Sequence, residues 1–338
     1  LLARADFITL HVPMTDKTRG ILNKEALAKT KPGVRIINCA RGGLVDEAAL
    51  ADAIKSGHVA GAGFDVFEVE PATESPLFGL PNVVCTPHLG ASTTEAQENV
   101  ALQVAEQMSD YLMKGAVSNA INMPSITAEE APILKPFIRL ADVLGSFAGQ
   151  MTENPIKEIE ILYDGVTSGM NTKALTSALL AGLIRPQVAD VNMVSAPIMI
   201  KEKGVIVSEV KRDKTGVYDG YIKLTVTTEK QTRSVAGTVF SDGKPRFIQI
   251  KGINMDADVG PNMIYISNTD VPGMIGFMGT TLGNAKVNIA NFQLGRDKEG
   301  GDAIALLYVD GPVEQAVLDQ LTANPAVKQA KPLVFNVD

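Results

Sequence analysis

From Leu1 to about Asn122, short apolar runs alternate with short amphipathic helices, the rhythm of strand and helix units that feed a parallel sheet. Strands are predicted at Phe7–Val12, Val34–Cys39, Gly61–Phe67 and Val83–Thr86. Asn23 can cap a helix that runs to Thr30 and stops at Lys31-Pro32-Gly33, and Asp46 can cap another that runs through Ser56 to Gly57. Ser92-Thr93-Thr94-Glu95 has the form of a capping box ahead of a long helix, Glu95–Lys114. Ala96, Val100, Val104, Met108 and Leu112 recur along it at helical spacing, so that stripe is expected to pack against something outside the sheet.

The pattern then changes. Helices are predicted around Ile133–Met151 and Thr172–Ile184, with strand-like alternation in Ile156–Tyr163 between them. Strands follow at Tyr221–Thr228, Ser234–Phe240 and Arg246–Lys251, the last two joined by a hairpin signal, Ser241-Asp242-Gly243-Lys244. This α+β stretch, Ile126 to about Val259, contains no histidine and no cysteine and suggests a structural or assembly role. From Pro261 onward the order is strand Met263–Asn268, helix Pro272–Leu282, strand Val287–Leu294, strand Ile304–Val309, helix Val313–Leu321 and strand Val327–Phe335, the ferredoxin-like βαββαβ arrangement. Pro272 suits the first turn of its helix.

Composition narrows the classes. With 338 residues, 45% apolar and 20% charged, the chain has room for two or three globular domains, and disordered, collagen-like and coiled-coil classes are excluded. The longest apolar candidate for a membrane span, Ala174–Ile184, is short and broken by Thr176 and Ser177, so a soluble protein with no membrane partner is expected. A net charge of -7 and no basic cluster longer than Lys211-Arg212 argue against a nucleic-acid partner. Cys39 and Cys85, both in apolar strand-like runs, read as reduced intracellular thiols, hence a cytoplasmic location. Two cysteines and three scattered histidines give no metal-ligand cluster. The first residue is Leu1 and no charged segment precedes it, so no signal peptide is visible.

Only His11, His58 and His88 could serve histidine-based proton transfer. In open parallel sheets, ligands collect at the carboxyl ends of strands, which favours His88 and, by the same rule, Arg41, Asp65 and Glu70. These types together suit one reaction. An arginine binds a carboxylate with its planar fork, a histidine moves the proton of a hydroxyl near neutrality, and a carboxylate holds the imidazole ring. That set would serve oxidation of a 2-hydroxy acid, with hydride leaving to a nicotinamide.

Three segments carry a resemblance. Asn38-Cys39-Ala40-Arg41-Gly42-Gly43-Leu44-Val45-Asp46-Glu47, Asp65-Val66-Phe67-Glu68-Val69-Glu70-Pro71 and Pro87-His88-Leu89-Gly90-Ala91-Ser92-Thr93 resemble the signature segments of D-isomer-specific 2-hydroxyacid dehydrogenases. The resemblance implies that Arg41 holds the substrate carboxylate, that His88 is the acid and base, and that Glu70 orients it. It implies NAD as cofactor, contacted by His11, Val12, Cys39, Ala40, Arg41, Asp65, His88 and Gly90. The fold it implies is α/β, with 1–92 forming the C-terminal half of a Rossmann-like NAD-binding domain and 93–122 a helix returning to the catalytic core. Residues 123–259 would be an intervening domain, and 261–338 an ACT regulatory domain.

Asn268-Thr269-Asp270-Val271-Pro272-Gly273 and Val287-Asn288-Ile289-Ala290 resemble the ACT segments that bind L-serine between two subunits. Asn268, Asp270 and Asn288 would then contact the effector, a carboxylate facing an ammonium and an amide facing a carboxylate. The bland alternative has Asp270 capping the helix at Pro272 and Asn288 filling a turn. The resemblance further implies oxidation of 3-phospho-D-glycerate to 3-phosphooxypyruvate, the first step of L-serine synthesis, in a homo-oligomer. Alternatives are a hydroxypyruvate, glyoxylate or 2-oxoglutarate reductase, or a non-catalytic amino-acid or dinucleotide sensor. A Gly-x-Gly-x-x-Gly turn with its later acidic residue is absent, since Gly61-Ala62-Gly63 lies inside a strand and lacks the third glycine. The chain is therefore expected to be the C-terminal part of a longer enzyme and inactive by itself.

Overall fold

The computed structural model describes residues 1–213 and 216–336. The chain divides into two compact units, Leu1–Glu106 and Gln107–Asp338.

In the first unit, strands β1 (Phe7–Leu10), β2 (Val34–Asn38), β3 (Val59–Phe64) and β4 (Val83–Cys85) form a parallel sheet in that order. Helices α1 (Lys24–Ala28) and α2 (Glu47–Lys55) are its crossovers. Both open on the expected caps: Asn23 Oδ1 accepts the Ala26 N–H and Asp46 Oδ1 the Ala49 N–H, each at 2.9 Å. Leu27, Leu50 and Ile54 bury one face of these helices against Val34, Ile36 and Phe64. Strands β1 and β3 end short of their expected limits, Val12 and Phe67. Leu10 pairs with the last residue of β2, and Phe64 with the last of β4, so neither strand has a partner to continue along.

Helix α3 (Thr94–Lys114) starts where expected, with Thr93 Oγ1 accepting the Ala96 N–H at 3.2 Å. Its apolar stripe is not packed: no residue of α3 is buried, and Val100, Val104, Met108 and Leu112 are 53, 49, 59 and 74% exposed.

The second unit opens with α4 (Ala131–Met151), β5 (Ile156–Gly165), α5 (Thr172–Ile184), α6 (Ser195–Glu202) and β6 (Ile206–Arg212). Four more strands follow: β7 (Gly220–Thr228), β8 (Thr232–Val239), β9 (Pro245–Ile250) and β10 (Ile253–Asp258). Their sheet runs β10-β9-β8-β7-β5-β6 and is antiparallel except for the β5–β6 pair. Helices α4 and α5 touch backbone to backbone. A Cβ built on Gly145 would lie 2.0 Å from the Leu179 carbonyl oxygen, and one on Gly182 would lie 2.2 Å from that of Asp142.

The chain closes with β11 (Asn262–Thr269), α7 (Met274–Asn284), β12 (Ile289–Arg296), β13 (Asp302–Val309), α8 (Gln315–Thr322) and β14 (Val327–Val334). The sheet order β12-β13-β11-β14, antiparallel throughout, is the expected βαββαβ fold. One sheet face, with Ile264, Ile266 and Leu307, packs on Met278 and Leu282 of α7 and Leu318 of α8. The other, with Met263, Tyr265 and Leu306, joins Phe147 of α4 and Phe247 of β9 in a common core. Gln150 seals one sheet edge, since its side-chain amide donates to the Val334 carbonyl at 2.8 Å and accepts the Val334 N–H at 2.9 Å. Pro272 does not sit in the first turn of α7, which begins at Met274 behind Gly273, whose φ of 89° is left-handed. The last two residues of the expected 261–338 domain lie outside the described residues.

Candidate active site

Three loops leave the carboxyl ends of β2, β3 and β4, and the candidate side chains stand on them. After β2, the buried Asn38 fixes the turn: its Oδ1 accepts the Ala40 N–H at 3.2 Å and its Nδ2 donates to the Arg41 carbonyl at 3.0 Å. The Arg41 guanidinium donates to the Ala40 carbonyl at 2.6 Å, and the residue is exposed. Gly42 lies against the loop after β3, where a Cβ would come within 1.8 Å of the Phe67 carbonyl oxygen, so no side chain fits.

The loop after β3 supplies two carboxylates in unlike settings. Asp65 is buried, and its Oδ1 accepts the Thr86 hydroxyl at 2.5 Å and the Leu89 N–H at 2.7 Å, while Oδ2 accepts the Gly90 N–H at 2.9 Å. Burial pushes this carboxyl upward, but the Thr86 hydroxyl and the two backbone N–H groups outweigh burial and hold it below its ordinary value. Glu70 Oε2 meets His88 Nδ1 at 2.7 Å, and Glu70 Oε1 accepts the Phe67 N–H at 2.9 Å. The His88 contact, then the Phe67 N–H, hold the Glu70 carboxyl below its ordinary value.

His88 itself has φ of 57°, a left-handed conformation unusual for a side chain of its size. The bonds from Asp65 to Thr86, Leu89 and Gly90 grip the chain on both sides of it. Met14, Arg41, Phe67, Glu70 and His88 line one open cleft, so Arg41, Glu70 and His88 come together. His11 and Val12 follow β1 at the same edge of the sheet, His11 bonding to Thr9 Oγ1 at 3.0 Å through Nε2. Cys39 is exposed beside Ala40. His58 lies elsewhere, tied to Thr30 Oγ1 and the Leu27 carbonyl. Reasoning from the chain missed Thr86, although its place at the end of β4 was the signal.

In the second unit, Asn268 and Asp270 share a cleft with Gly273, Gly276, Arg296 and Gly300. Asp270 does not cap α7: its carboxylate meets Arg296 at 2.7 Å and the Gly300 N–H at 3.3 Å, and the ion pair holds it below its ordinary value. Buried Asn268 donates to the Thr269 carbonyl, while its Oδ1 has no hydrogen-bond partner among the described residues. Asn288 is not brought there. It precedes β12 and donates to Asp310 at 2.8 Å, at the far end of β13 from the residues that pair with Asn268 and Arg296. Among the described residues, no group of three or more His, Cys, Asp or Glu is placed to hold a metal, and no helix is long and apolar enough to cross a membrane.

Comparison with known proteins accounts for this arrangement. Residues 1–90 match the family described as D-isomer specific 2-hydroxyacid dehydrogenase, NAD binding domain, and residues 133–251 match the D-3-phosphoglycerate dehydrogenase intervening domain. The chain is 42% identical over 332 residues to D-3-phosphoglycerate dehydrogenase of Bacillus subtilis, covering 98% of this chain and 63% of that protein. Residues 1–90 thus belong to the NAD-binding domain family of the D-isomer specific 2-hydroxyacid dehydrogenases. Similar relatives within that group, also D-3-phosphoglycerate dehydrogenases, come from Synechocystis, 39% identical over 98% of this chain and 60% of the relative, and Methanocaldococcus jannaschii, 39% identical over 97% and 62%. The chain thus spans somewhat less than two thirds of the length of these dehydrogenases.

Proposed function

We propose that the cleft between Arg41, Glu70 and His88 oxidises a D-2-hydroxy acid, and that the substrate is 3-phospho-D-glycerate, converted to 3-phosphooxypyruvate at the entry to L-serine synthesis. The observation that carries this is the 2.7 Å contact of His88 Nδ1 with Glu70 in the cleft that Arg41 also lines. With Nδ1 held by the carboxylate, Nε2 is the nitrogen left to face a ligand. It accepts the proton of the substrate 2-hydroxyl as the C2 hydride leaves, and the positive charge formed on the ring is stabilised by Glu70. Arg41 offers its fork to the substrate carboxylate and so sets which hydrogen points away from His88.

NAD⁺, when bound, accepts that hydride. The residues fit such a group: His11, Val12, Cys39, Ala40 and Arg41 stand at the carboxyl ends of adjacent parallel strands, where dinucleotides lie in open sheets. Asp65 and Gly90 belong to the same edge, Asp65 through the loop it grips. The substrate identity is supported by the relatives' printed name and by the match to their intervening domain.

Regulation belongs to the same reading. L-serine would bind the cleft of Asn268 and Asp270, its polar ends met by Asp270, Arg296 and the unpartnered Asn268 amide oxygen. Asn288 could join only from a second copy of the chain, consistent with a homo-oligomer.

The test is NAD⁺-dependent oxidation of 3-phospho-D-glycerate, followed as NADH absorbance, in the natural protein carrying this sequence. His88→Ala is expected to lower kcat about 10²- to 10⁴-fold. Arg41→Lys is expected to raise KM for substrates bearing a carboxylate. Turnover of glyoxylate or hydroxypyruvate without 3-phospho-D-glycerate would replace the substrate, and an unchanged rate in His88→Ala would overturn the mechanism.

A further inference from the structure

Glu70 sits in a long connection, residues 65–82, between β3 and β4. A carboxylate on so long a segment meets a histidine at 2.7 Å only if the segment is tied down near it, because every loose residue costs conformational entropy. Part of the tie is apolar: Leu77 is buried in the core of the first unit, and the rings of Phe67 and Phe78 meet edge to face with centroids 5.4 Å apart.

The polar tie is Glu47. Its Oε1 accepts the Glu68 N–H at 2.9 Å, and its Oε2 accepts the Ser75 hydroxyl at 2.7 Å. One carboxylate therefore holds the connection on both sides of Glu70, and both its oxygens are engaged. The support behind it is rigid. Glu47 is the first residue of α2, whose start is fixed by Asp46 and whose inner face is buried through Leu50, Ala51 and Ile54. The stretch leading into α2 also carries Arg41 and Gly42, and Gly42 touches Phe67. The start of α2 thus joins the loop of Arg41 to the loop of Glu70. An acidic residue in a first helical turn also favours the helix dipole. That role needs no bond to another loop, and Asp46 already stands at this helix end.

We propose that Glu47 is a positioning residue, which sets Glu70 against His88 by pinning the connection at Glu68 and Ser75. The proposal rests on the reading of Arg41, Glu70 and His88 as the active site. The charged groups around His88 are Arg41, Glu68 and Glu70, which line its cleft, and Asp65, whose carboxylate interacts electrostatically with the ring.

Two measurements test it. The first is the imidazole titration of His88 by NMR, assignable because the chain has three histidines. Glu70→Gln provides the reference for a released ring. Glu47→Ala is expected to move the His88 titration in the same direction as Glu70→Gln, and Ser75→Ala in that direction by less. Glu47→Gln should stay near the parent, because its amide oxygen still accepts the Glu68 N–H and its NH₂ group can donate to Ser75. The second is steady-state kinetics. A displaced Glu70 is expected to lower kcat about tenfold to a hundredfold in Glu47→Ala with KM for the cofactor unchanged, and Glu47→Gln should restore it.

A His88 titration unaltered in Glu47→Ala, or in Ser75→Ala should Glu47→Ala not fold, overturns the proposal whatever the activity. A shifted titration in a protein that oxidises no 2-hydroxy acid upholds the coupling and overturns the dehydrogenase reading instead.

Discussion

At the scale of single residues, Asp65 shows how a short side chain can shape a site without facing it. Three donors from the segment 86–90 converge on its carboxylate, and His88 between them takes a left-handed backbone. Asp65→Ala would leave two backbone N–H groups without their acceptor, at an expected cost of about 1–3 kcal/mol in urea unfolding followed by circular dichroism. Glu70 makes a pH prediction. Its folded value lies below its unfolded one, so its contribution to stability is complete above the unfolded value and is lost as pH falls through the folded one. The stability gap between parent and Glu70→Gln in urea unfolding is therefore expected to close in acid. Arg41, Glu70 and His88 were legible because the carboxyl-end rule and the three signature segments converge on them. Glu47 was not, because its role lies in hydrogen bonds to Glu68 and Ser75, more than twenty residues away in the chain, which no spacing rule reveals.

At the scale of elements, periodicity was a good guide wherever one face is buried. α5 runs from Thr172 to Ile184 as expected, and the caps Asn23 and Asp46 make the bonds their types imply. The elements that escaped notice are α6, β6 and β10. β6 and β10 are the two edges of their sheet; β6 is exposed along most of its length and lacks a clean alternation, whereas β10 does alternate, Ile253, Met255 and Ala257 against polar neighbours, but over only six residues. The stripe on α3 is the reverse case, a clear helical period whose burial the structure does not show. The crossing of α4 and α5 depends on glycines in a way the sequence did not announce. Gly182→Ala would drive a methyl group into the Asp142 carbonyl and force the helices apart. Stability is expected to fall by about 1–3 kcal/mol, read as a lower urea midpoint.

At the scale of the whole molecule, the second unit joins two sheets through one aromatic cluster, Phe147, Phe247, Tyr265 and Phe335. Tyr265 is fully buried there, and its hydroxyl has no hydrogen-bond partner among the described residues. Tyr265→Phe removes an unsatisfied group without changing the shape of the ring, so thermal unfolding is expected at an equal or higher temperature. The cleft of Asn268 and Asp270 opens on the same small sheet. Calorimetric titration with L-serine is expected to show saturable binding that Asp270→Ala abolishes, with D-serine as the control. Binding that survives in Asp270→Ala would remove this cleft from the account of regulation.

That sheet has two edges, β12 and β14. Gln150 presents its amide to Val334 as a neighbouring strand would present a peptide group, which occupies the last position of the β14 edge. A strand adding along β14 would have to displace Gln150 before it could pair with Val334. Gln150 thus acts as a local guard at the end of β14, taking the backbone groups that a neighbouring strand would otherwise use.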